Sequence, residues 1–268
     1  MRSRLSTIQL LFLSVVLPAC GQKTEAVELP REAGSASVTA APAGGKPDGP
    51  WVERDAQGRV VEEGTYKNGL KTGVWQTSYP SGKLATRTTW VDGQQTGPCW
   101  QWGENGLLLA EGTSLNGLRD GVWIDYYPNG MKKREATWRA GKVEGIARDW
   151  RDNGSKLAET TFVNGVEHGM MWSFSDTNTP ELEYNYVNGK LEGLAQKRYP
   201  DGSIAFKTNY HNGMREGEWI SYFPNGQKAS QGVFSKDLRI GRWTTWKPTG
   251  EIDTVKSGVY EGPRKISD

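Results

Sequence analysis

Hydrophobic and polar positions along most of this chain alternate with a period of two, and the alternation itself recurs every 24 residues. A column of small residues runs Gly64, Thr88, Gly112, Ala136, Thr160, Thr208, Gly232. Two places on stand rings, Tyr66, Trp90, Trp138, Phe162, Tyr186, Tyr210 and Phe234, with Ser114 breaking the column. The residues between them, Thr65, Thr89, Thr113, Thr137 and Thr161, face the other way, as do Glu63, Glu111, Glu135, Glu159 and Glu183. Small-then-aromatic on one face and threonine-with-charge on the other is the pattern of a half-buried strand. A second strand in each period carries Trp75, Trp123, Trp219 and Trp243, with Trp102, Tyr126, Trp150, Phe174, Tyr222 and Trp246 three places beyond that column. Rings stacked over glycine of the neighbouring strand would stabilise such a sheet without a second layer.

Glycine punctuates the strands. One column runs from Gly58 through Gly82 and Gly106 to Gly250, with Asn178 in one place. A second runs from Gly69 to Gly213, with Asp237 closing it, and a third follows four residues behind the second, from Gly73 to Gly241. Asn-Gly recurs in these turns from Asn68-Gly69 to Asn225-Gly226, and both residues accept the positive φ that a two-residue type I′ turn demands. Spacings alternate between 11 and 13 residues (58 to 69, 69 to 82), so each repeat holds two turns and two strands. The expected fold is all-β: an elongated single-layer antiparallel meander of about eight 24-residue hairpin repeats, about sixteen or seventeen strands in all. One turn departs from the rule. At 175–181 the sequence SDTNTPE replaces Pro-Asn-Gly, so Asp176, Thr177, Asn178, Thr179 and Pro180 are expected to project a differently shaped loop and to contribute to partner choice.

Composition changes the picture in two ways. With 12 Trp and 10 Tyr in 268 residues the chain is too aromatic to be disordered, while only 35% of its residues are hydrophobic. The net charge of +2 comes from Arg2 and Arg4; without residues 1–19, 31 basic residues face 31 acidic ones. No field favours nucleic acid, which is excluded as a partner.

The repeat resembles the MORN family in its bacterial variant, on the stretches GTYKNGLKTGVWQTSYPSG (64–82) and REGEWISYFPNG (215–226). The resemblance covers about residues 51–262 and implies a twisted sheet of successive hairpins that acts as a scaffold, dimerisation unit or binding surface and has no catalytic role. Some bacterial members resemble antitoxin or immunity proteins that neutralise a toxin by binding it. Ahead of the repeats, MRSRLSTIQLLFLSVVLPAC has two arginines, a short apolar run and a Leu-Pro-Ala-Cys box that resembles the lipobox of bacterial lipoproteins. That resemblance implies cleavage before Cys20, a diacylglycerol on its thiol and, since acylation consumes that thiol, no disulfide in the mature protein. Gly21 in place of Asp favours the outer membrane in a Gram-negative cell, with the membrane reached through the lipid anchor alone. The expected organisation is a signal peptide at 1–19, a lipidated tether of small residues, Pro and Gly at 20–50, the repeat domain at 51–262 and a tail at 263–268.

The search for chemistry yields a non-enzyme with no catalytic residue, cofactor or metal. His168 and His211 fall in different columns, neither with a Cys or carboxylate at ligand spacing. Glu111 and Glu135 would lie roughly 9–10 Å apart, at the edge of the range for inverting glycosidases, but an even ladder of carboxylates has no position with a distinct pKa. The expected function is a membrane-anchored scaffold in the cell envelope binding a protein, with a toxin as one candidate partner. Glycan binding by exposed rings is the alternative, and a plain spacer is a third reading.

Overall fold

The computed structural model describes residues 46–268, so the expected signal peptide, Cys20 and most of the expected tether lie outside the described residues. Among the described residues twenty strands form one sheet, and there is no helix. Numbered in chain order, they begin with β1 (Gly49–Arg54), β2 (Val60–Lys67) and β3 (Leu70–Ser78), and end with β18 (Leu238–Thr245), β19 (Gly258–Glu261) and β20 (Arg264–Ser267). With one interruption, each strand pairs antiparallel with its successor, which makes the sheet a simple meander. One strand is split into β13 (Lys190–Leu191) and β14 (Gly193–Arg198), both paired with β12 (Pro180–Val187). The sheet runs past the repeats: 264–267, expected as tail, closes a last hairpin with β19.

The two glycine turn columns build different turns. At Asn68-Gly69, Asn116-Gly117, Asn164-Gly165, Asn188-Gly189 and Asn212-Gly213 both central residues have positive φ, as type I′ requires. In the other column only the glycine has positive φ, and the turn is closed by a pair of backbone bonds, as when Tyr127 N–H donates to Met131 O and Gly130 N–H to Tyr127 O. The asparagine before that glycine therefore has another task. Asn129 Oδ1 accepts the Met131 N–H at 3.0 Å, while its Nδ2 reaches Asp152 O of the next repeat at 2.7 Å.

The third glycine column marks a bulge. In the first hairpin Glu63 pairs with Gln76 but Thr65 with Thr72, so β3 carries extra residues around Gly73, whose φ is +68°. Gly121, Gly145, Gly193 and Gly217 repeat that positive φ at the same place, where any side chain would be strained. The bulge slides Trp75 over Gly64. A Cβ on Gly64 would lie 2.2 Å from the Trp75 ring, and one on Gly112 or Gly232 as close to Trp123 or Trp243. The bulge also frees a carbonyl: Trp75 Nε1 donates to Thr65 O at 3.2 Å, Trp123 Nε1 to Thr113 O at 2.7 Å and Trp243 Nε1 to Val233 O at 3.1 Å. Each of these three rings is 1% exposed. Stacking over glycine, read from the sequence, is what the sheet does.

Candidate functional surface

On the ring-bearing face, long side chains lie flat over the tryptophans and complete a core in a single-layer sheet. Lys71 Nζ lies 3.9 Å from the Trp75 ring centroid, and the Arg119 and Arg239 guanidinium groups lie 4.1 and 4.5 Å from Trp123 and Trp243. Arg119 is buried and forms a bidentate pair with Asp125, at 2.8 and 3.1 Å. Trp219 departs from this arrangement because Thr208 replaces glycine opposite it. Its ring turns to stack on Phe206, 4.8 Å between centroids, and its Nε1 donates to Ser230 Oγ. Every Trp, Tyr and Phe among the described residues is buried or half-buried.

The opposite face divides lengthwise into two halves of different chemistry. The half beside the long turns is a ladder of ion pairs and half-buried rings. Arg148 bridges Glu135 and Glu159 at 3.7 and 3.4 Å, Lys156 holds Glu159 at 2.8 Å, and Tyr126 Oη donates to Glu111 at 2.7 Å. The Lys156 hydrogen bond holds the Glu159 carboxyl below the ordinary glutamate range, whereas burial, then the Glu111 bond, pushes Tyr126 up to about 12. The glutamate column is thus committed to neighbours, not arranged around a reacting centre.

The half beside the type I′ turns carries most of the exposed aliphatic side chains. Val74, Val122, Ile146, Met170 and Leu194 repeat at one position, and the first four alternate along the sheet with Thr89, Thr137, Thr161 and Asn185 as direct partners. Val91, Leu115, Leu118, Val163 and Val166 extend the strip toward the turns. Val122 is 55% exposed and Leu194 52%. Farther along, Glu218 and Arg242 take the same position and end the apolar run. A long apolar strip with threonine hydroxyls and few charges has the composition of an interface core. Sequence reading put the threonines on this face but gave no account of the aliphatic residues between them, although their 24-residue recurrence was there to be read.

The residues singled out beforehand are placed as follows. Residues 175–179 form the same turn as their counterparts: Ser175 N–H donates to Thr179 O and Asn178 N–H to Ser175 O, and Asn178 takes φ +61° where the others have glycine. The expected difference in backbone shape is not found. What differs is the side chains, with Asp176 exposed and held 3.0 Å from Arg151 and the Thr177 hydroxyl bonded to Ser175 and Thr179. His211 is exposed and bonded to Glu192; His168 is exposed in another repeat. Among the described residues no group of three or more His, Cys, Asp or Glu could hold a metal ion, and no helix is long and apolar enough to cross a membrane. Cys99, in the tryptophan column, is fully buried.

A cleft of about 380 Å³ opens at the C-terminal end between Arg215, Phe234, Asp237, Arg239 and Tyr260. Its arginines are already engaged: Arg215 pairs with Asp237 at 2.7 Å over Phe234, and Arg239 lies over Trp243.

Comparison with known families fits this geometry. The model of the MORN repeat variant matches residues 71–92, 119–140, 191–212 and 215–236, each running from the bulged strand through the next strand to its type I′ turn. The chain is a MORN-repeat protein. MORN repeats serve as binding modules, and their family is generally non-catalytic. No curated protein matches the sequence. Among solved structures, a chain in "Crystal Structure of TcdB2-TccC3-TEV" is similar at 14% identity and TM-score 0.19, and one in "Crystal Structure of TcdB2-TccC3-Cdc42" at 12% and 0.19. In both, 76% of this chain aligns with 13% of the other, so it spans a small part of their length, and at that score the likeness carries no argument.

Proposed function

We propose that this MORN-repeat chain is a non-catalytic, protein-binding scaffold held in a bacterial cell envelope by a lipid on Cys20, with a toxin among the partners an immunity-like role would imply. The observation that carries the binding half is the exposed aliphatic–threonine strip. Those side chains stand exposed on the sheet, and burying them against another protein is the favourable use of such a surface. The glycan alternative calls for an exposed aromatic stripe, and the burial or half-burial of every described ring argues against it.

The test is capture of an envelope partner by the wild type and by Val122→Asp/Leu194→Asp. Both positions are more than half exposed, so the fold should persist while a charge enters the strip. Capture equal to wild type would end the reading. The anchor is tested separately. Intact mass of membrane-extracted protein raised by a diacylglyceryl group, with Cys20→Ala lost from the membrane, supports the anchor; an unmodified Cys20 in that fraction removes it.

A further inference from the structure

The described sheet opens on half of a hairpin. Gly45, Gly49 and Trp51 stand 24 residues before Gly69, Gly73 and Trp75. β1 also makes the contacts of a bulged strand. Lys46 Nζ lies 3.6 Å from the Trp51 centroid as Lys71 lies over Trp75, and Gly49 has φ +116°. Asp48 accepts the Asn68 N–H, as Asp120 accepts that of Ala140. One contact is missing. Trp75, Trp123 and Trp243 each donate Nε1 to a carbonyl ten residues earlier, on the first strand of their own hairpin, but Trp51 Nε1 is buried with no acceptor. A buried indole donor of this kind calls for a partner.

We propose that the free edge of β1 is a strand-receiving site and that its occupant is the chain's own segment 36–43, entering antiparallel through a Gly44-Gly45 turn. Four features of the sequence fit that segment to this edge. Gly44-Gly45 stand 24 residues before Asn68-Gly69, and two glycines accept the paired positive φ of a type I′ turn. Ala40 stands 24 before Gly64 and places a small residue beneath the Trp51 ring. Ala41 stands 24 before Thr65, whose carbonyl receives Trp75 Nε1, and would give its own carbonyl to Trp51. Pro42 stands 24 before Tyr66, a residue on the side of β2 that bonds the preceding strand. Its lack of an N–H would therefore fall on the new outer edge, where proline blocks further strand addition. The edge strand β20 of a second copy is a poorer occupant, offering Arg264, Lys265 and Ile266 where a small residue is needed. The inference is independent of the proposed partner, and it shortens the expected tether from 20–50 to 20–35.

Hydrogen exchange on the full mature chain, carrying Cys20→Ser so that it is soluble, tests it. The amides of Thr39, Ala41 and Ala43 point toward β1 in this register and should exchange at least about tenfold more slowly than those of Val38 and Ala40. The Trp51 indole N–H should be protected as well. Ala40→Asp should abolish both effects while leaving the Trp123 indole protection and the thermal midpoint unchanged. Rapid exchange across 38–43 in the wild type would overturn the proposal, and so would a Trp51 indole whose protection survives Ala40→Asp, since another group would then be covering it.

Discussion

The bulged strands of Trp123 and Ala195, third and sixth counted from that of Trp75, look alike in backbone and differ in how they fill the same face. In the strand of Trp123, a ring lies over Gly112 beneath the Arg119 guanidinium. In the strand of Ala195, the equivalent hairpin carries Tyr184 where Gly112 stands and alanine where the tryptophan stands, with Leu191 in place of the arginine. The large residue has changed strands and the cation has gone with the indole. Lys71, Arg119, Arg215 and Arg239 all stand four residues before a tryptophan, whereas Gln95, Val143, Glu167 and Leu191 precede Cys99, Ala147, Met171 and Ala195. Volume and charge are therefore exchanged as sets. A single-layer sheet has no facing layer to absorb a misfit, so the compensation falls on adjacent strands.

The strongest way to break the comparison is Trp123→Ala. Removing a ring that is 1% exposed leaves a cavity and strips Arg119 of the nearer of its two cation–π partners. The local loss should be about 4 kcal/mol. Exchange protection should collapse in the hairpins beside Trp123 and persist in those around Ala195, because contacts run between neighbours. Uniform loosening of the whole sheet would refute the set model.

Gly112→Val against Thr160→Val gives the next largest contrast. Both positions belong to the small-residue column, but a Cβ at Gly112 meets the Trp123 ring at 2.3 Å, while opposite Thr160 stand Ala147 and Met171. Overpacking should cost about 3 kcal/mol at Gly112, whereas the change at Thr160, which exchanges a hydroxyl for a methyl at the same volume, should cost about 1 kcal/mol or less. Denaturant melts of the two variants measure the difference.

Much of this was legible before any coordinates. Period-two alternation and three glycine columns specify a meander, its turns and the ring-over-glycine stacking, because each is a local constraint repeated often enough to be read. What was not legible depends on conformation without a side-chain signature. Gly73 reads as one more turn glycine, and only its φ of +68° with the shifted register reveals a bulge. Asn178 reads as a broken turn, yet asparagine tolerates that φ well enough to keep the standard turn. Residues 264–267 lack the motif and still add a strand, since the edge of β19 offers backbone partners to any extended segment. The aliphatic strip was hidden for another reason: single exposed Val or Leu residues mean little until the sheet aligns them.

The smallest effect separates the two fillings by pH. Burial, ahead of the neighbouring Tyr210 and Tyr186, pushes the Tyr184 phenol up to about 12 from an ordinary value of 10.0. The folded state therefore keeps its proton more tightly than the unfolded chain does. The stability linked to that proton is fully present below pH 10 and is lost as pH rises from there through about 12. Tyr184→Phe keeps the ring and removes the ionisable group, so its stability should fall less than that of the wild type across this window, with little change at neutral pH. The neighbouring phenols Tyr186 and Tyr210 are also raised by burial, so the variant should flatten the alkaline limb in part. Chemical denaturation at pH 8, 10 and 11, followed by backbone circular dichroism, supplies the comparison. Parallel pH profiles for Tyr184→Phe and wild type would mean that the ring is open to water, and the Tyr184–Ala195 hairpin would then lose its standing as a buried exchange of the Gly112–Trp123 pair.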